Sequence, residues 1–286
     1  MDLYLKNTTF VIVCFKSQEV IYDCLNTLPK EANKIIVENS NNLNLKKDLE
    51  SKFNNIEVII NENTGFGASN NLGIKKSKTQ FVFILNPDVK FREDTFDNLT
   101  KTCRSIPDFA IISPIHSDSK YPNYTIKNKY KNIEENIIEV DEIDGFSMLI
   151  NKSKFMDEIY FDENFFLYLE NNDLCLRTKK NGQNIFIIKN SLIDHKGGSS
   201  TDINFSYEIE YLRNWHWMWS KFYYHKKHFG YLYGFFKIFR NLISAFLKSI
   251  IYSILGNNKK KTFYKARLSG CVNGLLLKKS WYRPNI

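Results

Sequence analysis

From Thr9 to Pro87 the chain alternates short apolar runs with amphipathic stretches. FVIVCF is followed by VIYDCLNTL, KIIVEN by LKKDLESKF, and NIEVIIN by GASNNLGIKKS, and QFVFILNPD closes the series. Four β-branched runs separated by segments of helical spacing predict βα units and a mostly parallel sheet. Polar residues collect directly after each predicted strand, at Lys16-Ser17, Glu38-Asn39-Ser40, Asn61 to Gly67 and Asn86 to Asp88. Open parallel sheets bind ligands at the carboxyl ends of their strands, so the four clusters are expected to converge on one cleft.

Downstream the pattern loosens. After Phe91 a helix-like segment precedes IISPI, and the charge-mixed stretch from His116 to Asn136 reads as a variable, mobile loop or hairpin region. Ile143 to Ile150 returns to strand character, Phe165 to Lys180 has helical spacing, and NIFIIKNSLIDH reads as another strand. The last third changes character. Phe229 to Leu255 is strongly apolar but interrupted by Lys237, Arg240 and Lys248. On a helix Lys237, Asn241, Ser244 and Lys248 share one narrow stripe, with Arg240 beside it. Three cations argue against a membrane span and for an amphipathic helix lying in a membrane interface, with Lys259-Lys260-Lys261 adding charge suited to anionic headgroups. The alternative is a helix packed on the protein's own surface with its basic stripe in water.

Composition narrows the classes. Hydrophobic residues at 43%, charged residues at 25% and only 12 Gly and 6 Pro describe a chain able to bury a sizeable core, which excludes disorder and collagen. A balance of 40 basic against 31 acidic residues, net +9, suggests an anionic partner: a nucleotide, a phospholipid surface or nucleic acid. The five cysteines, Cys14, Cys24, Cys103, Cys175 and Cys271, are scattered without a CxxC pair, which reads as a reducing compartment and no zinc knuckle. The N-terminus lacks the basic and apolar regions of a signal peptide, so export is not expected.

Several residues carry candidate chemistry. Asp88 at a strand end offers a hard oxygen ligand to Mg²⁺ or Mn²⁺, although Asn86-Pro87-Asp88 also reads as a simple strand-ending turn. Gly65 and Gly67 flank Phe66 and let backbone approach a ligand, with Asn70 placed to reach ribose or phosphate oxygens. Glu170 and Asp173, three apart, share a helix face; the alternative is a pair of helix-start acids with Asp173 bonded to Arg177. His216, His225 and His228 sit in a Trp/Tyr/Lys-rich segment and read as surface or interface residues.

The block Asn61 to Val89, NENTGFGASNNLGIKKSKTQFVFILNPDV, resembles inverting glycosyltransferases of family 2, particularly the rhamnosyltransferase-like branch. Their N-x-G-F-[GA]-x-[AS]-N-x-G block is likewise followed by a strand ending L-N-P-D. VIVCFKS, IIVENS, VDEIDGFSMLI, FFLYLENNDLCLR and DHKGGSS follow in the same order, so the resemblance covers about residues 8 to 200. It implies an α/β fold of GT-A type with a mostly parallel mixed central sheet, a catalytic domain over residues 1–200; residues 201–286, beyond the resemblance, are expected from their own apolar and basic pattern to form a helical, membrane-associating extension. The resemblance further implies a dTDP- or UDP-linked sugar donor and Mg²⁺ or Mn²⁺. Asp88 carries the metal, Asn86 stands where the family often has a first acid, and His195 completes the metal or diphosphate site, with Gly197, Gly198 and Ser199 closing over the donor. Glu38 stands where an Asp usually accepts the pyrimidine N–H, with Asn39 beside it. Ser17 and Glu19 match base and ribose contacts. Gly145, Phe146 and Met148 shape the sugar and acceptor pocket, or form a packed core strand. In Glu170-Asn171-Asn172-Asp173, Glu170 is the expected base and Asp173 its alternate or orienting group.

The function implied is inverting transfer of a sugar such as rhamnose to a glycan or lipid-linked acceptor during cell-surface polysaccharide synthesis. The scattered cysteines, the absent signal peptide and the basic-striped apolar helix together lead to an expected location in the cytoplasm, peripheral at the inner face of the membrane, with no nucleic acid partner. Three competing readings stay open. A nucleotidyltransferase on a similar core lacks its glycine- and basic-rich N-terminal loop here. A degenerate, binding-only relative is motivated by Asn86 and Asn171, and nucleic-acid binding rests only on net charge and 15% aromatic residues.

Overall fold

The structure is a computed structural model that describes residues 3–106, 108–127, 131–155, 157–197 and 206–283. A one-turn helix α1 (Leu3–Lys6) leads into β1 (Thr8–Cys14), α2 (Ile21–Thr27), β2 (Asn33–Glu38), α3 (Leu43–Lys52), β3 (Ile56–Ile60), α4 (Phe66–Lys76) and β4 (Phe81–Leu85). The four strands lie parallel in the order β3-β2-β1-β4, with Ile12 of β1 opposite both Ile36 and Leu85. Each apolar run read from the sequence is one of these strands. β1, buried on both faces, sends Phe10 and Ile12 into one core cluster and Val11 into the other, which is why it reads as a continuous apolar run.

Past β4 the sheet becomes mixed. It continues through β5 (Val89–Phe91), α5 (Thr95–Cys103), β6 (Phe109–His116), β7 (Tyr124–Thr125), β8 (Lys131–Glu134), β9 (Ile137–Glu139), β10 (Glu142–Ile143), β11 (Ser147–Asn151), α6 (Glu170–Lys180) and β12 (Asn184–His195). The main sheet runs β3-β2-β1-β4-β11-β6-β12-β9-β8, with β5 paired to the end of β12 and β7 paired to β10 apart from it. β11 is antiparallel to both β4 and β6 while β12 runs parallel to β6, so the sheet is mixed, with its first four strands parallel as expected from the sequence. An apolar run fixes which faces of a strand are buried and carries no information on its direction. The stretch read as a loop or hairpin, His116 to Asn136, contains β7 and β8, and β8 forms a hairpin with β9 just beyond it.

The chain divides into two units. One comprises Met1–Asp162 and Asn171–Asp202, the sheet with its helices; the other comprises Glu163–Glu170 and Ile203–Ile286. The second unit is built on α7 (Ser206–Phe229), α8 (Tyr231–Ile254) and α9 (Asn258–Leu275). α7 and α9 approach closely: a Cβ placed on Gly270 would lie 2.2 Å from the Trp215 carbonyl oxygen. Among the described residues no helix is long and apolar enough to cross a membrane.

Candidate functional site

The first three strand-end clusters are wired to one another. After β1 the chain turns through Lys16 in the left-handed region (φ 52°), and the Lys16 amide donates to the Ser40 hydroxyl at 3.4 Å, joining the turns after β1 and β2. Buried Ser17 accepts from the Phe15 amide at 3.1 Å, whereas Glu19 is exposed. Glu38 is fully buried, and its carboxylate accepts from the Ser40 amide at 3.1 Å, the Asn42 amide at 2.7 Å and the Ser40 hydroxyl, bracing its own turn. Asn39 donates to Ser69 Oγ at 2.7 Å and accepts from Asn61 at 2.9 Å, so β2, β3 and the first turn of α4 share one network. Gly65, at φ 98°, makes the entry to α4 that a side chain would strain. Buried Asn70 donates to the Phe66 carbonyl at 2.9 Å.

Asp88 and His195 are brought together by strand pairing. The Asn86 amide donates to the Phe146 carbonyl at 2.9 Å, the chain turns, and Val89 of β5 pairs with His195 at the end of β12. The imidazole Nε2 lies 3.4 Å from Asp88 Oδ1, with side chains only 14% and 2% exposed. The ring stacks on Phe146 at 3.9 Å between centroids, and the His195 carbonyl accepts from His116 Nε2 at 3.1 Å. Burial, and next the charge of Asp88, push the Cys24 thiol up. Asp144 is a residue the sequence reading missed. Burial raises its carboxyl above the usual range while His195 and His116 oppose the rise. The only signal was an acid directly before Gly145.

Among the described residues no group of three or more His, Cys, Asp or Glu side chains is gathered as a metal centre. The donors present suit a shared metal instead. Mg²⁺ and its analogues are commonly held by one or two carboxylates, with water and substrate phosphates completing the shell, and imidazole is a ligand for transition divalent ions. Asp88 and His195 supply one donor of each kind. Near the same strand ends, buried Gln18 Oε1, Asn70 Oδ1 and Ser147 Oγ find no hydrogen-bond partner among the described residues. Such atoms are capacity for a polar ligand.

Gly145 lies where Phe66 and Asn171 meet: a Cβ there would sit 3.3 Å from Asn171 Cβ and 3.4 Å from the Phe66 ring. Asn171 donates to the Ile143 carbonyl at 2.8 Å. Phe146 flanks the His195 ring, whereas Met148 is sealed in the core opposite Ile84 of β4. Asp173 is fully buried and accepts from Arg177 Nε at 2.9 Å, the i,i+4 pairing weighed from the sequence. Arg177 also donates to the carbonyls of Ile159, at 3.1 Å, and Tyr160.

Glu170, 5% exposed, is the first residue of α6. The helical spacing from Phe165 is therefore not a helix until Glu170. Tyr168 (φ 73°) and Leu169 (φ 68°) are both left-handed, a conformation costing non-glycine residues roughly 1–3 kcal/mol each. The helical unit holds this segment: Phe165 packs on Tyr223 at 4.8 Å, Phe166 stacks on His216 at 4.5 Å, Tyr168 meets Trp217 at 5.3 Å, and the Ser220 hydroxyl donates to the Leu167 carbonyl at 2.8 Å. His216 is thus a fully buried anchor rather than a surface residue. Its Nε2 donates to the Tyr282 carbonyl and its Nδ1 accepts from Ser280, both at 2.9 Å. Gly197 is at φ 35°, and Gly198 and Ser199 lie outside the described residues.

Comparison with known proteins bears on the family and the fold. The family model described as "Glycosyl transferase family 2" matches residues 9–166. A hexosyltransferase of low-salt glycan biosynthesis, Agl10 of Haloferax volcanii, is 27% identical over 200 residues, covering 63% of this chain and 64% of the relative. The chain therefore spans less than two thirds of that relative's length. Rhamnosyltransferase WbbL of Escherichia coli K12 is 26% identical over 197 residues, 58% of this chain and 75% of the relative. Among solved structures, the mannosyltransferase PcManGT from Pyrobaculum calidifontis, in complex with GDP-Man and Mn²⁺, superposes with a TM-score of 0.55 at 11% identity, over 96% of this chain and 88% of that one. At that identity the likeness shows the fold alone, a GT-A-like α/β fold with a mixed central sheet. The family match covers more than half of the chain, and the chain belongs to glycosyl transferase family 2.

Proposed function

We propose that this family 2 glycosyltransferase moves a hexose, with rhamnose a leading candidate, from a nucleoside-diphosphate donor to a hydroxyl of a glycan or lipid-linked acceptor, with inversion at the anomeric carbon. The observation that carries the reading is the convergence of strand ends in the sheet unit, with Asp88 and His195 3.4 Å apart beside buried polar atoms able to accept a ligand. A divalent cation held by Asp88 and His195 would supply positive charge to the donor diphosphate. The chain's own residues do the remaining work. Asn70, Ser147 and the network of Asn39, Asn61 and Ser69 offer fixed polar groups around the donor. Glu38 holds the turn that presents them.

Inversion requires a base on the acceptor side. As the acceptor oxygen bonds to the anomeric carbon, Glu170 takes its proton and the bond from that carbon to the diphosphate oxygen breaks. Asp173, fully buried and bonded to Arg177, orients α6 and leaves the proton transfer to Glu170. The left-handed residues Tyr168 and Leu169 fix where the Glu170 side chain leaves the backbone. The test is a panel of UDP-, dTDP- and GDP-sugars with glycan and lipid-linked acceptors, read by release of nucleoside diphosphate. Release that depends on acceptor and disappears in Glu170→Gln supports the reading. Nucleotide binding without release under every combination identifies a binding protein instead.

A further inference from the structure

The charge of this chain is segregated. From Tyr211 to Ile286 the sequence contains no Asp or Glu, whereas lysines and arginines recur throughout, from Arg213 and Lys221 to Lys279 and Arg283. All 31 acidic residues therefore lie at or before Glu210, and the positive excess of the chain belongs to the helical unit. Such one-sided charge selects an anionic partner.

The same unit carries a long uncovered apolar stripe. Leu232, Phe236, Phe239, Ile243, Ile250 and Ile254 of α8 are 71%, 70%, 44%, 43%, 44% and 80% exposed. At about 100° per residue they fall within roughly 60° of one line along the helix. The buried positions of α8, Gly234, Ile238, Ala245 and Ser249, lie on another arc, toward α7 and α9, where Gly234 packs against the backbone of Lys226. Between the two arcs, on one flank, are Arg240, Lys237 and Lys248. The helix packs within its own unit through one narrow face and leaves a wide apolar face outside. At its far end the exposed Leu255 and, opening α9, Lys259, Lys260 and Lys261 continue the same combination. At its near end the Tyr231 hydroxyl donates to the Leu275 carbonyl at 3.0 Å, placing exposed Leu276 and Leu277 beside the start of the stripe.

We infer that α8 is a membrane-docking helix that lies in the plane of an anionic phospholipid leaflet, its apolar stripe among the acyl chains near the headgroups and its flanking cations on the phosphates. A stripe of about 33 Å, with cations beside it and at one end, matches the geometry of an interfacial helix. A hydrophobic protein partner would cover the stripe and have no use for so large an excess of cations, whereas an anionic leaflet uses both features. The inference stands apart from the transferase reading, since docking needs neither donor nor metal.

The test is flotation of the full chain with vesicles of phosphatidylcholine alone and of phosphatidylcholine with about 30 mol% phosphatidylglycerol. The expected result is strong binding to the anionic vesicles that falls as salt rises toward about 0.5 M, because screening weakens the cation contacts. Phe236→Ser with Ile250→Ser should lower the partition coefficient about tenfold or more, at about 0.8 kcal/mol per buried methylene. Lys259→Gln with Lys260→Gln and Lys261→Gln should do likewise on anionic vesicles, at about 1 kcal/mol per cation. All five positions lie outside the catalytic machinery, so release of nucleotide to a water-soluble acceptor should be unchanged. Absence of binding to anionic vesicles, or equal binding by the Phe236/Ile250 variant, overturns the inference. So does a wild-type dimer that dissociates in that variant while vesicles bind nothing, which would assign the stripe to a second copy of the chain. If either variant fails to fold, the salt and lipid-charge dependence of the wild type decides alone.

Discussion

Acidification should loosen the helical unit through one residue, His216. Burial pushes its imidazole from 6.5 down to about 3, with the Arg283 charge adding to the effect and the bond to the Tyr282 carbonyl opposing it. The folded value lies below the unfolded one, so the unfolded chain takes the proton first. The stability held above pH 6.5 is therefore lost as pH falls toward about 3. The slope approaches about 1.4 kcal/mol per pH unit once the unfolded state is fully protonated, or about 2 kcal/mol between neutrality and pH 5. The unit is well suited to the measurement. All four tryptophans, Trp215, Trp217, Trp219 and Trp281, belong to it, and the Trp215 ring lies 4.8 Å from His216. Urea unfolding followed by tryptophan fluorescence should show the wild type weakening from pH 7 to 5 and His216→Gln weakening much less. Parallel curves for the two proteins would refute the reasoning. Because Phe166 stacks on His216, the same loss should reach the segment leading to Glu170.

Three further outcomes follow from other contacts. Arg177→Met leaves the fully buried Asp173 without its guanidinium, at a cost of about 3 kcal/mol, so amide exchange across Leu174 to Lys180 should accelerate roughly a hundredfold; an acceleration under about fivefold would show that the pair does not hold α6. Asp144→Asn should be more stable than wild type at pH 7 and equal to it below about pH 4, because a carboxyl raised by burial opposes folding only once ionised; calorimetry at both pH values checks the sign. Gly270→Ala drives a methyl into the Trp215 carbonyl and should cost about 1–3 kcal/mol or more in the helical unit, seen as a lower fluorescence-detected Tm.

The parts of this molecule governed by local rules were readable in its sequence. The alternation from Phe10 to Leu85 marks the first four strands, and the polar residues after three of them form one bonded network, because strand ends and turn residues obey neighbour chemistry. The cations of α8 were also placed on one flank. Features fixed by distant contacts were not readable. Nothing local marks Tyr168 and Leu169, neither of them glycine, as left-handed; α7 anchors the segment that holds them. His216 looked like a surface residue because its partners, Phe166, Ser280 and Tyr282, are remote in sequence. The reversal of β11 against β4 is likewise invisible to a pattern that records only which faces are buried.

The central claim is that Asp88, beside His195, forms the site where the donor's diphosphate and a divalent cation are held. Calorimetric melting of the full chain tests it most directly, since the tryptophans report the other unit. With Mn²⁺ and UDP or dTDP at about a hundred times their dissociation constants, the sheet unit should gain about 2.7 kcal/mol, and Asp88→Ala should lose the metal-dependent part of that gain. No shift with any nucleotide, or a metal-dependent shift that survives Asp88→Ala, would contradict the account.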